Sequence, residues 1–247
     1  MTAMALHAGP ASSATETAAV RAVQLGVTLD ERPVLADIHL DIPAGQYVGI
    51  LGANGAGKST LLRILASLLA PTSGTVQLFG HDLARDRGQL RARIGLIGHQ
   101  PMLYRQLGAQ ENLEFFGRLY GVSQPRRRAQ QLLQSVGLAH RAQDQVKSFS
   151  RGMTQRLAIA RALMHSPDLI LADEPFGGLD VPSILALEQV LAALHQRGRT
   201  IVLVNHDIQQ TLAVAQRIIV LRGGRISIDR PAEQLGAPQL VAEVSRP

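Results

Sequence analysis

The chain alternates between short apolar runs and longer segments with a helical period. Between Val20 and Gln46, two runs of alternating apolar and polar residues, VRAVQLGVTL and VLADIHLDI, flank the turn-like DERP. This pattern predicts two antiparallel strands. The continuous apolar run YVGIL is typical of a strand buried on both faces, and it leads directly into GANGAGKST and the helical LLRILASLLA. The predicted order is strand, glycine loop, helix.

Helical periodicity dominates from about residue 100 to 165, after two further predicted strands, TVQLFG and RIGLIG. The segments AQENLEFFGRLYG, PRRRAQQLLQSVG and GMTQRLAIARALMHS each carry apolar residues at helical spacing. DLILADEP and TIVLVNHD then alternate with the helical VPSILALEQVLAALHQRG, which predicts a parallel sheet. A hairpin that turns at Gly223-Gly224 is predicted for RIIVLRGGRISIDR.

These elements predict one α/β domain over residues 20–230, with a helical subdomain at about 100–165. Residues 1–19 lack the basic start and apolar run of a secretory signal. They are predicted to form a disordered tail. A short C-terminal tail is predicted for residues 231–247. The longest apolar stretch contains Arg63 and is far shorter than the roughly 18 residues of a membrane span. Any membrane role is therefore expected to depend on a partner.

The composition excludes several kinds of site. Cys is absent from the 247 residues, which excludes disulfides, thiolate catalysis and Cys-ligated zinc. The net charge of +6 is interpreted as a solvated basic surface, with contact to anionic lipid or nucleic acid as the alternative. Aromatic residues make up only 3% of the chain and Trp is absent, so platforms that stack single-stranded nucleic acid are not expected. No nucleic-acid partner is predicted.

Residues 52–59, GANGAGKS, match the phosphate-loop pattern of two glycines separated by four residues and followed by Lys and Ser. The glycines let backbone N–H groups face the phosphates of a nucleotide, Lys58 reaches the β- and γ-phosphates, and Ser59 binds Mg²⁺. A Lys is informative in a chain that otherwise favours Arg, because it supplies a compact charge. The predicted phosphate-binding residues are Gly52, Ala53, Asn54, Gly55, Ala56, Gly57, Lys58, Ser59 and Thr60.

An acidic element downstream of the phosphate loop helps to decide between the functions that the loop allows. The loop alone fits either a nucleoside triphosphatase or a kinase. LILADEP places Asp173 at the end of a buried strand, where its carboxylate can meet the Mg²⁺ of the loop. Glu174 follows as a candidate base for an attacking water. An isolated Asp-Glu pair after a strand is more often a capped turn, but downstream of a phosphate loop it favours nucleotide hydrolysis.

The phosphate loop, SRGMTQR, LILADEP, GGLD and VNHD occur in an order and spacing that resembles the ABC-type ATPases, from about Val20 to Arg230. The resemblance implies a P-loop NTPase fold with a RecA-like parallel sheet core, an N-terminal antiparallel β part and an inserted helical subdomain. It also implies hydrolysis of ATP with Mg²⁺. The implied partners are an integral membrane permease and a second ATPase subunit, in a homodimer that forms on ATP binding, at the cytoplasmic face of the cell membrane.

The resemblance also implies roles for residues outside the phosphate loop. In the family, the signature segment of one subunit grips the γ-phosphate held by the other, a role that falls here to Ser150 and Gly152. Asp180 resembles the aspartate that contacts the opposite subunit. Gln100 resembles a glutamine that touches Mg²⁺ and water and links the site to the membrane subunit. His206 resembles the switch histidine near the γ-phosphate.

Two departures from the family pattern carry expectations of their own. The common signature begins Leu-Ser-Gly-Gly-Gln, whereas Phe149, Arg151 and Met153 take three of the five places here. We expect Arg151 to extend into solvent, with contact to the partner's phosphates as the alternative. Leu29 stands where many members stack an aromatic on adenine, so selectivity among nucleotides is expected to be loose.

The segment GLIGHQPMLYRQLGAQENLEFFGRLYGV and the SRGM form of the signature resemble ATPases of the cytochrome c maturation haem exporter and of multidrug and lipid exporters. GHQPMLY and the missing adenine aromatic favour the haem-exporter type. The expected function is the ATP-hydrolysing subunit that powers export of haem or another small hydrophobic molecule through a separate permease. A soluble ABC ATPase acting on DNA or ribosomes is the alternative, although such proteins usually carry tandem domains or a long inserted arm.

Overall fold

The computed structural model describes residues 18–98 and 100–245. The strands are β1 (Ala18–Leu29), β2 (Arg32–Pro43), β3 (Tyr47–Leu51), β4 (Ser73–Leu78), β5 (His81–Asp82), β6 (Ile94–Ile97), β7 (Leu169–Asp173), β8 (Thr200–Val204), β9 (Arg217–Arg222) and β10 (Arg225–Pro231). The α-helices are α1 (Lys58–Leu65), α2 (Arg87–Arg91), α3 (Ala109–Leu119), α4 (Pro125–Ser135), α5 (Arg151–Ala162), α6 (Val181–Gln196), α7 (Ile208–Val214) and α8 (Ala237–Val244). Short 3₁₀ turns lie at Ala139–Arg141, Val146–Ser148 and Ala232–Gln234.

A central, mostly parallel sheet organises the molecule, with strand order β10-β9-β3-β8-β7-β6. Its strands from β9 to β6 pair in parallel, while β10 is antiparallel to β9 at one edge. Every residue of β3 and of β8 is buried, which explains why these strands are continuous apolar runs. The second sheet is antiparallel, with order β2-β1-β4-β5. The predicted fold class is confirmed.

Two apolar clusters cover the opposite faces of the central sheet. On one face, side chains of β3, β7 and β8 pack with α1 and with the inner side of the antiparallel sheet. On the other face, alternate side chains of the same strands pack with α3, α4, α5 and α6. This arrangement follows from the period of two along a strand, which sends successive side chains to opposite faces. Helix α1 contacts both β2 and β7, so it lies between the two sheets.

The segment from 100 to 165 contains α3, α4 and α5, which contact one another. Their shared core includes the buried residues Leu113, Leu132, Leu133 and Leu157. A helical subdomain at about 100–165 therefore agrees with the arrangement of these helices, and its exact boundaries stay a prediction.

The C-terminal region differs from the short tail predicted for residues 231–247. The chain there forms α8, which begins after Gly236 and carries a proline in its first turn. Leu240 is fully buried against the core, and Glu243 forms an ion pair with Arg222 at 3.2 Å. A single buried leucine on a short helix leaves little periodic signal in the sequence, which is why the element was not predicted.

The ends of the chain fall mostly outside the described residues. A disordered tail is predicted for residues 1–19. Of these, residues 1–17 lie outside the described part of the chain, and β1 begins at Ala18. None of the helices within 18–98 and 100–245 is long and apolar enough to cross a membrane.

Gly49 of β3 tests how tightly α7 packs on the central sheet. A Cβ at Gly49 would lie 2.3 Å from Thr211 Cγ2 and 3.2 Å from Ala215 Cβ. We expect Gly49→Ala to lower the free energy of unfolding by about 1–3 kcal/mol, as overpacking does in other cores. Urea unfolding followed by circular dichroism measures the change. The matched control is Gly88→Ala in α2, where no atom lies within 4 Å of the added Cβ. That variant is expected to be neutral or slightly more stable, and equal stability of both variants would contradict this packing.

Candidate functional site

Most of the predicted site residues lie at the carboxyl ends of neighbouring parallel strands. The loop 52–57 follows β3, His206 comes shortly after β8, Asp173 ends β7 with Glu174 next to it, and Gln100 comes shortly after β6. Because the sheet order is β3-β8-β7-β6, these residues meet along one edge of the sheet. Ligands of open α/β sheets bind outside the carboxyl ends of the strands. The fold therefore brings the predicted phosphate and acidic elements together.

The loop 52–57 has a backbone shape that requires glycine. Gly57 has a φ of 99°, and a Cβ there would lie 2.6 Å from Leu35 Cδ2 and 2.9 Å from the carbonyl oxygen of Val34. The loop ends at α1, whose start has no side-chain cap. Its first backbone N–H groups, together with the positive end of the helix dipole, suit an anion. The loop has the properties of a phosphate cradle.

Lys58 holds this loop together. Its side chain is buried, and its Nζ donates hydrogen bonds to the carbonyl oxygens of Gly52 at 2.7 Å and Ala53 at 2.9 Å. Burial lowers the pKa of Lys58, whereas the negative charges of Glu174 and Asp173 act in the opposite direction. The same two carboxylates therefore favour the ammonium form that a phosphate needs.

The residues predicted to bind Mg²⁺ fit an ion that is shared with a nucleotide. Ser59 is exposed in the first turn of α1, Asp173 is half-buried at the end of β7, and Gln100 is exposed after β6. Within the described part of the chain, no group of three or more His, Asp or Glu residues could hold a metal ion. Mg²⁺ is commonly bound by one or two protein carboxylates and completes its shell with substrate phosphates and water. The available oxygens match that mode.

Glu174 and His206 lie side by side at this edge. Glu174 has a positive φ of 47°, and its backbone N–H donates to the carbonyl oxygen of Val204 at 2.9 Å. His206 Nδ1 lies 3.8 Å from Glu174 Oε2, and the two side chains are 71% and 37% exposed. The carboxylate is therefore accessible to water and has the histidine as its neighbour.

Asn205 is a residue of the site that is not among those predicted. It is buried between β8 and His206, and its Oδ1 accepts a hydrogen bond from the backbone N–H of His206 at 2.9 Å. The only sequence signal is a polar residue at the end of the apolar run TIVLV, which is also common in ordinary strand ends. Asn205 holds the backbone from which His206 projects.

The signature segment lies at the start of α5. Ser150 caps this helix, and its Oγ accepts a hydrogen bond from the backbone N–H of Met153 at 3.2 Å. Gly152 lies in the first turn. Gln155 Nε2 donates to the carbonyl oxygen of Pro175 at 3.1 Å, so α5 is attached to the loop that follows Glu174.

The loop after Glu174 leads to Asp180, which caps α6. Asp180 Oδ1 accepts a hydrogen bond from the backbone N–H of Ser183 at 3.3 Å. Hydrogen bonding from Ser183 lowers the pKa of Asp180, whose carboxylate is exposed. Asp180 and the signature are therefore both presented at the surface.

Arg151 departs from the expectation that its side chain simply extends into solvent. The residue is exposed, yet its guanidinium fills the space beside Gly178, where an added Cβ would lie 2.5 Å from Arg151 Cζ. Gly178 has a φ of 74° and no side chain, which makes room for the planar group. Arg151 thus packs on the loop between Glu174 and Asp180 of its own chain.

Several known proteins that are similar to this chain are named as ATP-binding proteins. A family model described as ABC transporter matches residues 35–177. The ABC transporter ATP-binding protein NatA of Bacillus subtilis is 39% identical over 77% of this chain and 78% of its own length. The daunorubicin resistance ATP-binding protein DrrA3 of Streptomyces coeruleorubidus is 36% identical over 84% and 66% of the respective chains. The aliphatic sulfonates import ATP-binding protein SsuB 2 of Pseudomonas aeruginosa is 40% identical over 82% and 72%.

A solved structure agrees with these relatives. The ATP-binding cassette MJ0796, determined as a dimer in a post-hydrolysis state with ADP and Pi, superposes with a TM-score of 0.80 at 30% identity. The match covers 86% of this chain and 98% of that one. ATPases of this kind bind ATP with Mg²⁺, dimerise and act with a membrane permease. The chain belongs to the ABC transporter ATP-binding family and is an ATP hydrolase.

Proposed function

We propose that this chain powers export of a small hydrophobic molecule through a separate permease, by hydrolysing ATP at sites shared between two copies of the chain. The observation that supports this proposal best is the row of strand ends that gathers the phosphate loop, Glu174 and His206 at one edge of the sheet. It supplies a phosphate cradle and a water-accessible base in one place.

Each residue of this edge has a distinct role in the proposal. Lys58 binds the β- and γ-phosphates of ATP, and the glycine loop donates its backbone N–H groups. Glu174 accepts a proton from the attacking water, which its exposure allows. His206, which lies 3.8 Å from Glu174, is proposed to contact the γ-phosphate. Ser59, Asp173 and Gln100 hold Mg²⁺, which neutralises charge on the phosphates.

The second half of each site comes from the partner in this proposal. Ser150 and Gly152 are presented at the start of α5, where backbone N–H groups and the helix dipole suit a γ-phosphate. Asp180 is exposed at the start of α6. We propose that it contacts the opposite subunit. ATP binding then closes the dimer, and hydrolysis removes the phosphate that joins the two subunits.

An exposed apolar surface beside Gln100 is proposed as the contact with the permease. We call it the coupling face, formed by Met102, Tyr104, Phe115, Leu119 and Tyr120, all of which are exposed. The rings of Tyr104 and Phe115 pack on each other with 5.0 Å between centroids, and the ring of Tyr120 stacks on His165. Exposed apolar clusters of this kind usually mark a contact with another protein. Binding to a permease here places the ATPase at the cytoplasmic face of the membrane.

The direction of transport and the substrate are the finer parts of the proposal. The SRGM signature and the GHQPMLY segment support an exporter, with haem as the first substrate to test. A drug-resistance protein among the relatives agrees with export, whereas a sulfonate importer of similar identity represents the opposite direction. Import is therefore the second candidate.

Reconstitution with a candidate exporter permease tests the function. We expect the two proteins to copurify, and ATP to drive haem away from the side of the vesicle that carries the ATPase. Leu119→Ser on the coupling face should abolish copurification, while Leu68→Ser, at a similarly exposed leucine outside that face, should not. Transport towards the ATPase side would contradict export. Copurification unaffected by Leu119→Ser would contradict the coupling face.

Glu174→Gln tests the assignment of the base. The amide is nearly isosteric with the carboxylate but does not accept the proton, so turnover should fall about 10²- to 10⁴-fold while Mg-ATP still binds. Phosphate release and equilibrium binding measure the two effects. The control is Glu233→Gln, which makes the same charge change at an exposed carboxylate in the 3₁₀ turn near the C-terminus. Turnover of Glu174→Gln close to that of the control would remove Glu174 from this role.

A further inference from the structure

His206 is too exposed for packing to fix its position. Its side chain is 71% exposed, and its Nδ1 lies 3.8 Å from Glu174 Oε2, which is beyond hydrogen-bond distance. The position of the imidazole therefore depends on the backbone at His206. That backbone donates its N–H to Asn205 Oδ1 at 2.9 Å.

Asn205 is the buried end of a relay of side-chain hydrogen bonds. It is 1% exposed, and its Nδ2 donates to Gln210 Oε1 at 2.9 Å. Gln210 Nε2 in turn donates to Glu188 Oε1 at 2.8 Å. The relay thus runs from the switch region after β8, through α7, to the middle of α6.

The two ends of the relay fix the direction of every bond in it. The backbone N–H of His206 can only donate, and the ionised carboxylate of Glu188 can only accept. Asn205 must therefore turn its oxygen to His206 and its nitrogen to Gln210, and Gln210 must do the same towards Glu188. Asn205 is buried, whereas Gln210 and Glu188 are half-buried. Hydrogen bonds that all point the same way polarise and strengthen one another where water is partly excluded. This favours a single arrangement of both amides.

The far end of the relay lies on a helix that starts at the predicted dimer contact. Glu188 lies eight residues after Asp180, or about 12 Å along α6. A helix moves as a rigid unit over that length. Any shift of α6 that accompanies contact at Asp180 is therefore transmitted to the anchor of His206.

We propose that Asn205, Gln210 and Glu188 are positioning residues that hold His206 in its working place and tie it to α6. The inference rests on the proposed role of His206 at the γ-phosphate. None of the three residues has to touch the nucleotide. Breaking the relay should therefore slow turnover and leave ATP binding unchanged.

Glu188→Ala removes the acceptor at the far end of the relay. We expect kcat of the full chain to fall about tenfold or more, as misplacement of a catalytic group does, with the Kd for Mg-ATP within twofold of the parent. Glu188→Gln keeps an oxygen that accepts from Gln210 and should retain most of the activity. The control Gln189→Ala truncates the exposed neighbour on the same helix and should leave kcat unchanged. An unchanged kcat in Glu188→Ala would overturn the inference.

Exchanging the carboxylate of Glu188 and the amide of Gln210 distinguishes loss of the relay from a general loss of structure. Gln210→Glu alone places two carboxylates opposite each other and removes the donor, so kcat should fall. In the pair Glu188→Gln with Gln210→Glu, the carboxylate at position 210 accepts from both Asn205 and the new amide at 188. The pair should therefore recover at least half of the lost activity. Loss in the pair as great as the sum of the single losses would contradict the relay.

The dependence on His206 is tested by combining the changes. If Glu188 acts through His206, Glu188→Ala should cause no further loss of kcat in a His206→Ala background, whereas a merely structural effect would add to it. Thermal unfolding of each variant checks that it is folded. Additive losses would overturn the inference alone. Normal turnover in His206→Ala itself would contradict the proposed role of His206 and the inference with it.

Discussion

The parallel pairing of β3, β8, β7 and β6 is the constraint on which the site depends. Apolar side chains bury these strands on both faces, so the polar residues of the candidate site lie where the strands end. Because the strands point the same way, Asp173 and His206 come to the same edge as the phosphate loop, although that loop precedes both by more than a hundred residues. The burial of the sheet thus pre-organises the chemistry.

Side-chain contacts link the signature helix α5, the loop after Glu174, helix α6 and His206 to one another. Gln155 and Arg151 connect the signature helix to the loop after Glu174, and that loop continues into α6. The proposed relay through Asn205 connects α6 back to His206. The segment proposed to bind the partner's nucleotide is therefore linked, within its own chain, to the residues proposed to act on that chain's own nucleotide. Such a link gives each site a means of responding to the other.

The sequence predicts the core of the fold because burial leaves a strong pattern. The apolar run of β3 and the glycines of residues 52–57 each have one structural interpretation, and both are confirmed by the structure. The helix predicted for LLRILASLLA ends earlier, at Leu65, since Ser67 adopts a φ of 57°. A local change of backbone conformation of this kind leaves no periodic signal in the sequence. The same limitation explains why the relay through Asn205, and the packing of Arg151 on Gly178, were not predicted.

We propose that the signature of one chain binds the nucleotide held by the other chain. Mixing two defective variants is the most direct test of this arrangement. Lys58→Ala damages the phosphate loop and Gly152→Asp places a negative charge where a γ-phosphate is expected. In a mixed dimer, a signature that acts on the partner's nucleotide leaves one site with both halves intact. We expect ATP-dependent dimerisation, absent from each variant alone, to return in part on mixing. No recovery, with both variants folded and Gly152→Asp still binding ATP, would contradict it.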